Sequence, residues 1–167
     1  MSTPKLTEFL RQQRDEHGSS AEDLQPLKAE WISAVNDLLA DITSWLEPQE
    51  KEGLLQVVRL EDVTLQEDRL GIYRAPALEI RVGARAISVL PIARLIFGGA
   101  GRVDLAYGPR IRILLRTDPT AKIVYSPDDG SRKRGPLKWM ISSTDPRDRG
   151  TELTEESLSE AIQFLLS

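Results

Sequence analysis

The chain has no cysteine and a single histidine among its 167 residues. Without cysteine there is no disulfide, no thiolate metal site and no cysteine nucleophile. His17 stands in a polar stretch with no second histidine or tight carboxylate cluster beside it, which argues against a zinc site and a Ser-His-Asp triad. Aromatic residues are scarce, three each of Trp, Tyr and Phe. No apolar run approaches the roughly 20 residues that span a bilayer. The opening segment, MSTPKLTEFLRQQRDEHG, lacks the apolar centre of a secretory signal. These absences lead to the expectation of a cytoplasmic protein with no membrane partner and no cofactor.

The composition that remains is globular: 40% hydrophobic and 29% charged. A chain of this length builds one core and buries about two-thirds of its unfolded surface, so residues 1–167 are read as one domain. The net charge of −4 conceals a division. Residues 1–53 carry a net −6, residues 54–135 a net +5 and residues 136–167 a net −3. Acidic ends thus flank a basic middle. Either the two signs neutralise each other across the fold, or a basic surface meets an anionic partner.

Periodicity assigns the elements. Thr3-Pro4 suits a helix start, and Leu6, Phe9 and Leu10 make a small apolar patch that predicts a short, weakly docked helix ending near His17-Gly18. A second start, capped by Ser19-Ser20 or Asp23, opens the strongest signal in the chain. Leu24, Leu27, Trp31, Val35, Leu38, Ile42 and Trp45 recur at three and four, which predicts a helix ended by Glu47-Pro48. Trp31 and Trp45 on that stripe read as core aromatics, the ligand-box alternative being the weaker one. From Leu54 to Thr144 the chain turns to short β-type runs without a helical stretch between them. Leu78, Ile80 and Val82 alternate with Glu79 and Arg81, apolar inward and charged outward, and Pro76 suggests an edge or a bulge. Further strands are expected at 54–65, 86–90, 92–97, 103–105, 110–113, 123–125 and 137–141. After a charged linker, Thr154 caps a last helix, with Glu155 and Glu156 at its positive end and Leu153 stapled to Leu158. The fold class expected is α+β: an antiparallel meander of about six strands with the N-terminal (1–53) and C-terminal (151–167) helices packed on one face.

Three arrangements could carry chemistry. Gly98-Gly99-Ala100-Gly101 follows an apolar strand, but a phosphate cradle needs a helix immediately after it, and Val103 and Leu105 read as another strand. Asp62 with Glu79-Ile80-Arg81 approximates a metal-dependent nuclease, yet arginine stands where the water-orienting lysine belongs. The basic residues Arg102, Arg110 and Arg112, with Arg132, Lys133 and Arg134 in the 131–135 loop, could bind a partner or an anion, Tyr107, Tyr125 and Trp139 supplying rings.

The Trp31…Trp45-Leu46 helix, the Gly71-Ile72-Tyr73…Leu78-Glu79-Ile80 segment and Pro91…Gly98-Gly99-Ala100-Gly101-Arg102-Val103-Asp104-Leu105 resemble a group of small bacterial α+β proteins without an assigned activity. A strand around Trp139 and the closing Leu153-Thr154-Glu155-Glu156…Leu165-Leu166 helix extend the resemblance over most of the chain. It implies one domain and brings no substrate or catalytic residue with it. The reading is a non-enzymatic protein-binding or accessory module, possessing an immunity- or antitoxin-like character, whose partner is another protein. The alternative is a nucleic-acid or anion binder using a basic sheet face and the 131–135 loop.

Overall fold

The computed structural model describes residues 5–12, 24–119 and 136–167. In chain order these form α1 (5–12), α2 (Gln25–Lys51), β1 (Gln56–Glu67), β2 (Gly71–Val82), β3 (Arg85–Ala93), β4 (Arg102–Tyr107), β5 (Arg110–Thr117), β6 (Lys138–Ser142), β7 (Thr151–Glu152) and α3 (Glu155–Leu166). The strands make one sheet in the order β1 to β7, every neighbouring pair antiparallel. Turns of two or three residues join β1 to β2, β2 to β3 and β4 to β5, which suits antiparallel neighbours. The class is α+β, with seven strands rather than about six. The additional one is β7, where Thr151 and Glu152 pair with Ile141 and Met140 in a stretch that reads as linker.

Helix α2 lays a continuous stripe on the sheet: Trp31, Val35, Leu38, Leu39, Ile42 and Leu46 are all buried. It runs one turn beyond the expected stop. It continues through Pro48, which has no N–H to donate, and leaves at Gly53, with φ 74°. Its N-cap is Leu24, without a side-chain cap bond, and the expected capping residues lie outside the described ones. Helix α3 starts as its sequence predicts. The Thr154 hydroxyl accepts from Ser157 N–H, and Ser157, in the place of the usual Glu, accepts from Thr154 N–H at 2.7 Å. In α1, Leu6, Phe9 and Leu10 remain more than half exposed.

The bulge expected at Pro76 is found, and one strand expectation is corrected. β2 runs unbroken through Pro76, because the register of β1 shifts between Leu60 and Val63 and Pro76 falls opposite that bulge, where no ladder donor is required. No strand spans 92–97. β3 ends at Ala93, and the N–H groups of Arg94 and Leu95 donate instead to the buried carboxylate of Glu67 at 3.1 and 3.0 Å. The strand expected at 123–125 lies outside the described residues.

Both α2 and α3 pack on the same face of the sheet. The core between the layers holds Ile80, Ile87, Val89, Val103, Leu105 and Leu114. The other face has no helix on it among the described residues.

Candidate functional site

Strand β5 inverts the usual alternation. Its register places Arg112 opposite Leu105 and Leu114 opposite Val103, so Arg110, Arg112 and Arg116 share the helix-side face. Arg110 donates through Nη1 to Phe164 O and to Ser167 Oγ, each at 2.8 Å, and Arg85 from β3 donates to Leu166 O at 2.7 Å. These carbonyls lie at the C-terminus of α3, a helix with no basic residue in its last turn, and Phe164 O also accepts from Ser167. Arg112 lies 3.6 Å above the Phe164 ring. Arg116 donates to the carboxylate of Glu30 on α2, an ion pair that draws the Glu30 carboxyl below its usual range. Two of the predicted site residues, Arg110 and Arg112, are therefore engaged by α3. Arg102 lies on the opposite face, held in two bonds by Asp104 at 2.7 and 2.9 Å. Arg132, Lys133 and Arg134 lie outside the described residues. The structure brings Arg110 and Arg112 together and separates Arg102 from them.

The helix-free face collects what the alternation of β5 leaves over. Ile111, Ile113 and Leu115 point there, with Met140 paired beside Leu115 and with Leu60, Leu90 and Ile92 further along. Leu60 is 38% and Ile92 42% exposed. The charges among them pair locally: Glu79 with Arg81 at 3.0 Å, Arg102 with Asp104, and Lys138 with Glu152 at 3.8 Å. The face is apolar and neutral rather than basic. Glu79 is thus engaged by Arg81, while Asp62 sits in the β1 bulge, and among the described residues no group of three acidic or histidine side chains is disposed to hold a metal.

A buried polar cluster closes one end of the core. Glu67, 9% exposed, accepts from the Tyr73 hydroxyl as well as from the two backbone N–H groups of 94 and 95. Burial, then the bond to Glu67, pushes the Tyr73 phenol well above its usual range. Arg94 is 5% exposed, and its charge reaches Glu30. Beside them Trp31 is fully buried, tilted against Trp139 with ring centroids 6.1 Å apart. The glycine bend belongs to this packing. Gly101, at φ 138°, leaves room for the Trp31 ring, and a Cβ there would come within 2.1 Å of it. β4 follows the bend directly and no helix springs from it. Glu67 was invisible to sequence reading because Gln66-Glu67-Asp68 has the composition of a turn. The only available signal was the length of the β1 pattern, which reaches one residue beyond Gln66.

Cavities bounded by described residues lie on the helix side. One of about 200 Å³ is bounded by Arg112, Asp148, Ser157 and Glu160. Another, of about 590 Å³, runs between α2 and α3 and includes Trp45, Leu46, Leu55 and Leu158. Trp31 is thus a core aromatic, while Trp45 is only half-buried and faces a groove. Comparison with protein-family models, curated proteins and solved structures gives no match.

Proposed function

We propose that this chain is a non-enzymatic binding module whose partner is another protein, which it occupies in the manner of an immunity or antitoxin protein. The observation that carries this reading is the helix-free sheet face, with Ile111, Ile113, Leu115 and Met140 at its centre. These four are half-buried and no described helix covers them, and an apolar patch left in contact with water marks a place for a partner. Ion pairs along the face neutralise one another, so the partner surface that fits is apolar and uncharged at its centre. The partner class follows from the same chemistry: a folded protein presenting an apolar patch, not a polyanion. A cytoplasmic setting belongs to the same proposal. No described helix is long and apolar enough to cross a membrane.

The test compares affinity capture from a lysate of the source cell by the unmodified chain and by Ile113→Glu with Leu115→Arg, the fold of each being checked by circular dichroism. One partner captured stoichiometrically by the first and lost with the second supports the reading. Equal capture overturns it. Steeply salt-dependent nucleic-acid binding, weakened by Arg132, Lys133 and Arg134 to Ala, would replace it with the anion-binding alternative. Magnesium- or manganese-dependent hydrolysis of nucleic acid, abolished by Glu79→Ala, would replace it with an enzyme.

A further inference from the structure

The groove between α2 and α3 has a floor of Trp45, Leu55 and Ile162, all half-buried, and a cavity volume of about 590 Å³. Its rim is formed by Glu155, Glu156 and Glu160. None of the three makes an ion pair or hydrogen bond among the described residues, and α3 contains no lysine or arginine. Glu155 and Glu156 have a local reason to be there, since acids in a first turn meet the positive end of the helix. Glu160 has none, lying beyond the first turn where that field has faded. On α2, Glu47 has Lys51 as a partner and Glu50 accepts from Val57 N–H at 2.7 Å, and neither Glu50 nor Glu52 makes an ion pair among the described residues. An apolar floor between uncompensated carboxylates is complementary to one kind of chemistry, a large apolar side chain flanked by cations. A metal ion is a poor fit, because no three acidic side chains converge as ligands among the described residues.

We infer that this groove docks a cationic amphipathic segment of a partner protein, its apolar face on Trp45, Leu55 and Ile162 and its lysines or arginines along the glutamates. The recognition is of the helix-in-groove kind, apolar anchors giving affinity and charge giving orientation. The groove lies on the opposite side of the sheet from the apolar face described above, so the two readings fail separately.

The probe is a synthetic amphipathic Leu/Lys peptide, followed through the emission of Trp45 and by calorimetry. A Trp45→Phe variant assigns the fluorescence signal. Binding with a blue-shifted emission is expected, weakened about tenfold by Glu155→Gln, Glu156→Gln and Glu160→Gln together. Leu55→Asp, on the floor, lowers affinity by a similar factor. Asp68→Asn, in the exposed turn between β1 and β2 and outside the groove lining, leaves it unchanged. The inference is overturned if a scrambled peptide of the same composition binds equally well, if spermidine alone matches the peptide, or if the groove variants bind as the unmodified chain does.

Discussion

Gly101 and Trp31 show how a single side chain in contact with backbone decides a local conformation. The indole ring lies where a Cβ on residue 101 would be, and the φ of 138° is one that other residues rarely adopt. Gly101→Ala is therefore expected to cost about 3 kcal/mol or more, strain and overpacking acting together, as read from urea denaturation. Tyr73 offers a second test. Its phenol is held neutral by burial and by the Glu67 carboxylate, so its folded pKa is raised above the unfolded value. The resulting stabilisation is fully present below about pH 10, the ordinary tyrosine value, and is lost as pH rises through the folded pKa. Thermal stability should fall above about pH 10, and Tyr73→Phe should flatten that fall. At neutral pH the same variant leaves a buried carboxylate short of a donor, at a cost of about 1–3 kcal/mol.

Helix α3 illustrates what an element can and cannot announce about itself. Its N-terminus is local: Thr154 and Ser157 exchange bonds across three residues, and a cap of that kind is legible in any sequence. Thr154→Ala is expected to cost about 1 kcal/mol, measured as a lowered denaturation midpoint with unchanged slope. Its C-terminus is not local. Arg85 and Arg110 cap it from strands β3 and β5, more than fifty residues earlier in the chain. No rule of spacing connects an arginine at 110 with a carbonyl at 164. That is why the basic strand read as a surface for an anion, when much of its charge serves the end of a helix.

At the scale of the molecule the decisive feature is which side of each strand meets the helices. Adjacent positions on β5 should then respond differently. Leu114 is fully buried in the core, so Leu114→Ala should cost about 2–5 kcal/mol. Ile113 looks out from the helix-free face, and Ile113→Thr should cost less than about 1 kcal/mol. Denaturant titration of the two variants checks the face assignment, and similar losses would contradict it. The segregation of charge also resolves at this scale. Part of the basic sheet is neutralised by acidic α2, as in Arg116 with Glu30, while the acids of α3 beside the groove make no ion pair among the described residues.

Sequence alone determined the class of fold, the antiparallel order, the buried stripe of α2 and the start of α3, because each depends on periodicity or on neighbours a few residues apart. The alternation of Arg110 and Arg112 with Ile111 and Ile113 is likewise written in the chain, and the register of β5 keeps it. Only the tertiary structure decided which of those two sides is inside. Turning arginines toward the helix layer is normally disfavoured, but Arg110 stays exposed and Arg112 half-buried, and α3 provides carbonyls and an aromatic ring that receive them. The same assembly turned Glu67 from a turn residue into a buried acceptor, since the N–H groups it satisfies come from Arg94 and Leu95, brought beside it only when the sheet forms.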